Sequence, residues 1–244
     1  MSTTLMIHSS GLSSRQWGRL TEALPGPCVA PDLHGYPAGP QWDGGPALSA
    51  DLAYLVSTLD DIEGPIDLIG HSYGGSLALL LALERPERIR RLVVHEPVLW
   101  GVLLSDGPPE LAEAVNVFAK SGFIGAEDGG GPAWMEAFVD YWNVPGAWSV
   151  MAEHHQRSFL AVGKKVFAEV MDLFHLRSPG SDFDGLNMPT LITVGGATTP
   201  EEAAVCEALA ARLPSRTLEV FDGGHMTPLS HAGPFNDAVV RFLA

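Results

Sequence analysis

Basic residues are scarce: 14 Lys and Arg face 29 Asp and Glu, the formal net charge is −15, and no stretch gathers cations into a run. Nucleic-acid binding works by displacing counterions with clustered Lys and Arg, so no nucleic-acid partner is expected. Charge of either sign is sparse at 18% against 46% hydrophobic residues, which argues against disorder and for a buried core. Cysteine is nearly absent. Cys28 and Cys206 lie far apart without a C-x-x-C pair, so a zinc ribbon, a thioredoxin-type motif and a disulfide scaffold all lose support and two free thiols remain. Long hydrophobic runs are also missing: the start, MSTTLMIHSS, has no positive lead and too short an apolar stretch for a signal or a membrane span. A soluble cytoplasmic protein with no membrane partner is expected. His154 and His155 are adjacent rather than four apart, and no H-E-x-x-H or Cys cluster accompanies them, so neither a metal nor a cofactor is expected.

What the chain does have is a rhythm of short apolar runs: Thr3 to His8, Pro27 to Asp32, Ile66 to Gly70, Arg91 to Glu96, Thr190 to Val194 and Thr217 to Phe221. Each is continuous rather than alternating, the pattern of a strand covered on both faces. Helical patterns separate most of them, over Ser14 to Leu24, Pro46 to Leu59, Ser72 to Glu84, Pro200 to Leu213 and Pro228 to Leu243. Alternating strands and helices predict an α/β fold with a doubly wound, mainly parallel sheet of about six strands. The rhythm fails between Val98 and Met188, where Gly, Pro and aromatic residues collect. A helical insertion over residues 98–188 is expected there, on a core made of 1–97 and 189–244. Within it Phe159, Val162, Val166, Phe167, Val170 and Phe174 trace one helix face, and GGGP at Gly129 to Pro132 reads as a flexible joint.

The sharpest motif is Gly70-His71-Ser72-Tyr73-Gly74-Gly75, set between an apolar strand and a small-residue helix. A G-x-S-x-G at such a corner is a nucleophile elbow, where glycines on either side permit the tight turn that lifts the serine hydroxyl clear of the backbone. Three further motifs stand in order with it: His8-Ser9-Ser10-Gly11 after the first strand, Asp32-Leu33-His34-Gly35-Tyr36 after the second, and Gly223-Gly224-His225 after the last. Together they resemble the α/β-hydrolase superfamily over nearly the whole chain. Only seven residues precede His8, leaving no room for the antiparallel hairpin many members carry there.

The resemblance implies a serine nucleophile at Ser72, a base at His225 and an orienting acid. The acid usually follows the penultimate strand, but that segment reads Val194-Gly195-Gly196-Ala197-Thr198-Thr199-Pro200, with Thr198 where Asp would stand. Glu96 is the best replacement. It ends the strand beside the nucleophile strand, and His95-Glu96-Pro97 resembles members, such as the haloalkane dehalogenases, that place a Glu there. Asp222 is the runner-up acid and His231 the rival base, while Glu201 and Glu202 suit the positive end of a helix dipole. The oxyanion is expected to meet the backbone amides of Tyr73 and Ser10, with Ser9 as the alternative to Ser10. His8 and His34 are expected to brace their own turns, and His71 need not be chemical.

Trp134, Phe138, Tyr141, Trp142 and Trp148 make the insertion aromatic and poor in bases, which suits an apolar, uncharged small-molecule ester. A carbon–carbon bond hydrolase, lactonase, thioesterase or perhydrolase could use the same groups, and a non-catalytic ligand-binding protein of this fold is the alternative from another class. Epoxide hydrolases and haloalkane dehalogenases use Asp as nucleophile, so Ser72 disfavours both.

Overall fold

The computed structural model describes residues 2–119 and 123–244. Among them, β1 (Thr4–Ile7), β2 (Cys28–Val29), β3 (Ile66–His71), β4 (Ile89–His95), β5 (Thr190–Gly195) and β6 (Arg216–Phe221) form one parallel sheet in the order β2-β1-β3-β4-β5-β6. Helices fill the connections. They are α1 (Gly18–Ala23), α2 (Ala47–Asp60) and α3 (Tyr73–Glu84), then α4 (Trp100–Asp106), α5 (Pro109–Ala119), α6 (Pro132–Trp142), α7 (Ala147–Val150), α8 (Glu153–Ala161) and α9 (Gly163–His175) between β4 and β5. The chain closes with α10 (Pro200–Arg212), α11 (Thr227–Ser230) and α12 (Ala232–Leu243).

The central strands β1, β3, β4 and β5 are largely buried on both faces, which is why their runs are unbroken in apolar character. The edge strand β6 is exposed over most of its length, Val220 included, so the cover on both faces expected of its run is missing there. Leu5, Ile7, Leu68, Leu92 and Ile192 point into the larger core beneath α2, α3 and α10. Met6, Ile69, Val93 and Leu191 point to the other face, against Trp17, Leu20, Phe235 and Val239. The second strand is far shorter than its apolar run, because Pro27 and Pro31 bracket it and lack the amide that a ladder needs. The last helical pattern divides at His231, whose φ of −125° and ψ of 39° interrupt the helix between α11 and α12.

The stretch 98–188 carries α4 to α9, and its residues 120–122 lie outside the described residues. The single helical face expected from Phe159 to Phe174 is two helices, parted at Val162 (φ −107°, ψ 6°). A backbone crossing explains the break. A Cβ on Gly163 would lie 2.1 Å from the Gly130 carbonyl oxygen, and one on Gly130 would lie 2.3 Å from that of Gly163. Gly129 and Gly130 of GGGP are therefore buried, with Gly130 packed on Gly163, where a flexible joint was expected.

Two glycine substitutions should move stability in opposite directions. Gly163→Ala gains helix propensity but drives its methyl into a carbonyl, and a net loss of about 1–3 kcal/mol is expected. Gly18→Ala, at helical φ −51° with nothing within 4 Å of the new methyl, is expected to gain about 0.4–1 kcal/mol by restricting the unfolded chain. Urea unfolding midpoints measure both.

Candidate active site

Ser72 links β3 to α3 at φ 57° and ψ −122°, a region costly for a residue with a Cβ. The flanking glycines make the corner sterically feasible. A Cβ on Gly70 would lie 2.2 Å from the Gly74 carbonyl oxygen, and one on Gly74 would lie 2.3 Å from that of Ile7 in β1. The Ser72 amide donates to His95 O (2.9 Å), and the Ser76 hydroxyl donates to Val98 O (2.8 Å), so the turn is tied to the neighbouring strand.

His225 lies between Ser72 and Glu96. Its Nε2 is 2.9 Å from Ser72 Oγ and its Nδ1 is 2.7 Å from Glu96 Oε2. With Nδ1–H donating to the carboxylate, Nε2 is left to accept the serine proton. Glu96 is fully buried just past β4, at φ 42°. Its Oε1 accepts the Gly195 amide (2.7 Å), and its Oε2 also accepts the Thr198 hydroxyl (2.7 Å). Burial pushes the Glu96 carboxyl upward, but the hydrogen bond and charge of His225, then His95 and the Gly195 amide, outweigh it and hold the group below the ordinary glutamate range. Asp222 is exposed and His231 Nδ1 pairs with the Ser230 hydroxyl (2.9 Å), so neither joins this chain of bonds.

A second buried chain was not legible as such. The Ser9 amide donates to Gln16 Oε1 (3.1 Å), the Gln16 amide lies 3.0 Å from His71 Nδ1, and His71 Nε2 lies 2.8 Å from the His225 carbonyl oxygen. This pattern makes Gln16 the donor to Nδ1 and places the His71 proton on Nε2. Burial, followed by His225 and His95, holds His71 well below the usual histidine range and therefore neutral. The residue at the x position of the elbow thus fixes the backbone of His225. Gln16 in turn separates Ser9 from Ser10: the Ser9 amide is committed to it, whereas the amides of Ser10 and Tyr73 have no acceptor among the described residues. His8 braces its own loop, with Nδ1 on Ser9 O (2.9 Å) and Nε2 accepting the Leu33 amide (3.1 Å).

Behind that loop is a buried ionic cluster that the sequence reading missed. Lys165 Nζ bonds both Asp51 Oδ2 and Glu169 Oε1 at 2.7 Å. The Tyr73 hydroxyl donates to Asp51 Oδ2 (2.9 Å), the Tyr36 hydroxyl donates to Glu169 (3.0 Å) and accepts the Gly11 amide (2.9 Å). His34 reaches beyond its own turn to Asp51 Oδ1 (2.9 Å). The signal was present: Asp51 shares a stripe with Leu55 and Leu59 on α2, and Lys165 and Glu169 stand four apart on the face of α9 that also carries Val166, Val170 and Leu173.

Two cavities meet at Ser72. The outer one, about 260 Å³, is bounded by Leu12, Met151, Phe159, His225 and Met226. The inner one, about 20 Å³, is bounded by Val98, Trp100, Tyr141, Val170 and Leu173. Ser10, Phe138 and Trp142 line both, and no Lys or Arg lines either among the described residues. The Trp142 indole stacks on His225 at 4.1 Å between centroids and 26° between planes. Of the adjacent histidines on α8, His155 lines the outer cavity and His154 does not.

The family model described as "Alpha/beta hydrolase family" matches residues 4–238. The chain is 37% identical over 97 residues to Lipase LipV of Mycobacterium tuberculosis, a match covering 39% of this chain and 37% of that protein. It is 30% identical over 262 residues to 2-hydroxymuconate semialdehyde hydrolase of Pseudomonas putida, covering 98% of this chain and 86% of the relative. Among solved structures it is similar to the enol-lactonase of Burkholderia xenovorans LB400, with TM-score 0.74 and 19% identity over 99% of this chain and 91% of that one.

Glu202 carries a prediction of its own. It was expected to serve the α10 dipole, and its amide does bond the Thr199 hydroxyl (3.3 Å), yet its side chain is 1% exposed and neither carboxyl oxygen has a partner among the described residues. Burial first, then the charges of Glu96 and Glu201, push it well above the ordinary range, so it is neutral in the fold. A group raised in the folded state stabilises fully below its unfolded pKa, and that contribution is lost as pH rises toward the folded value. Glu202→Gln should therefore stabilise the protein at neutral pH, with the gain shrinking as the pH is taken below the ordinary glutamate range. Thermal unfolding across that window measures it; equal stability of the two proteins at neutral pH would contradict a neutral Glu202.

Proposed function

The chain belongs to the alpha/beta hydrolase family, and from that premise we propose that it is a cofactor-independent serine hydrolase of apolar, uncharged carboxylic esters. The observation that carries this reading is the buried chain of bonds from Ser72 through His225 to Glu96. In the proposed reaction His225 Nε2 takes the Ser72 proton as Oγ attacks the carbonyl carbon. The amides of Tyr73 and Ser10 receive the oxyanion, and Glu96 stabilises the imidazolium. His225 then gives its proton to the departing alkoxide, leaving an acyl-enzyme. Water, deprotonated by the same imidazole, attacks the acyl carbon and releases the acid and Ser72.

In this reading residues 1–97 and 189–244 supply the chemistry, and 98–188 act as a lid whose Phe138, Trp142 and Phe159 wall the substrate space. The absence of Lys or Arg from the described linings favours an uncharged substrate, since a buried anion wants a cationic partner. Hydrolysis of a carbon–carbon bond is the second reading, favoured by the full-length relative from Pseudomonas putida. Lactonase, thioesterase or perhydrolase chemistry would begin with the same attack.

A fluorophosphonate probe should label Ser72 under native conditions, and Ser72→Ala should abolish labelling and hydrolysis of p-nitrophenyl acetate. Glu96→Gln should cut turnover by about three to four orders of magnitude, the scale seen when an orienting acid is lost, while Asp222→Asn stays near the parent. No labelling would favour a ligand-binding protein over an enzyme. A collapse in Asp222→Asn with Glu96→Gln intact would move the acid.

A further inference from the structure

The two cavities at Ser72 differ in a way that assigns the two halves of an ester. His225 must protonate the departing alkoxide, so the alcohol has to leave on the side where the imidazole is accessible. His225 lines the outer cavity and is absent from the inner wall, whereas Ser72 and Ser10 line both. The acyl group is left with the inner chamber. That chamber measures about 20 Å³ against about 260 Å³ outside, and on this measure one water-sized group fills roughly 10–15 Å³.

We propose that this site, on the serine-hydrolase reading above, is selective for short-acyl esters, acetyl to propionyl, of bulkier apolar alcohols, with Trp142 as the partition that sets the limit. Trp142 lines both cavities, and its indole lies flat on His225, 4.1 Å between ring centroids. It is held on α6 in continuity with Phe138, which shares both linings and stacks on Trp134 at 5.4 Å. Val170 and Leu173 of α9, both buried, form part of the wall of the inner chamber. An added methylene meets far less free space in the inner chamber than in the outer cavity, whose lining is mixed and includes Asn143 and His155.

The test compares kcat/KM for p-nitrophenyl acetate, butyrate and hexanoate, and for acetates of alcohols from ethyl to naphthyl. The parent protein should lose about tenfold or more between acetate and hexanoate, since misfit of one or two methylenes is worth roughly tenfold to two-hundredfold. It should vary little across the alcohol series. Trp142→Ala should raise the hexanoate-to-acetate ratio by about tenfold, and Trp142→Phe by less. Any damage to His225 from losing the indole is common to all esters and cancels in that ratio. Leu173→Ala widens the same chamber from α9 without touching His225 and should shift the ratio in the same direction, which covers a Trp142→Ala protein that fails to fold. An acyl profile that is flat in the parent, a ratio unmoved in the variants, or a size limit found in the alcohol series would each overturn the assignment. Hydrolysis through Ser72 with a flat acyl profile overturns this inference alone; no reaction at Ser72 overturns the serine-hydrolase reading with it.

Discussion

Ser72 and Glu96 leave the neighbouring strands β3 and β4 at positive φ, 57° and 42°, immediately after the registered pair His71 and His95. Each departure costs about 1–3 kcal/mol for a residue with a Cβ, and it persists because the sheet over-determines it. The Ser72 amide is bonded to His95 O (2.9 Å) and the Glu96 amide to Thr193 O (3.1 Å), so both turns remain anchored in the ladder until the last residue. Two side chains at corresponding register positions, which regular strands would both send to one face of the sheet, are instead turned out at its rim, where His225 spans them. The glycines at 70 and 74 follow from this constraint, as does the packing of α3 against β1.

The position where an acid would be expected is not idle. Thr198 donates to the same Glu96 oxygen that receives His225, and Gly195, at the end of β5, donates to the other. The segment after β5 has become the donor set for a carboxylate that arrives from β4. A buried carboxylate must have its lone pairs met, and three donors converge on this one. The contrast with Glu202 is instructive, since both glutamates are buried and close enough to repel. The one with donors is held ionised, and the one without is pushed neutral, which keeps a second negative charge from opposing the first.

The strands, the connections and the Ser72 elbow were legible because they rest on local signals: apolar runs, punctuation and glycine at a required turn. Glu96 was legible only as a position at a strand end beside Ser72. What the sequence withheld depends on tertiary approach. GGGP has the composition of a joint, yet the contact that packs its Gly130 comes from Gly163, more than thirty residues on. His71 is one letter in a motif whose identity is free, and its hold on the His225 carbonyl exists only because β3 and the loop after β6 meet. Ser9 and Ser10 are alike as letters; Gln16 tells them apart by occupying one amide.

Helix α9 shows how these parts are kept in register. One stripe carries Lys165 and Glu169, whose bonds reach Asp51 on α2, through Asp51 the Tyr73 hydroxyl beside Ser72 and, through Tyr36, the Gly11 amide of the loop holding Ser10. The adjoining stripe carries Val170 and Leu173, part of the wall of the inner chamber. A buried ionic cluster adds little net stability over an apolar one, but losing a single partner leaves an uncompensated charge worth about 3–5 kcal/mol. That steep penalty makes it a better locator than a sliding apolar contact. Its position ties the chamber wall to the two amides proposed to receive the oxyanion, so in the proposed reaction one helix would set both the depth offered to an acyl group and the place of its carbonyl oxygen.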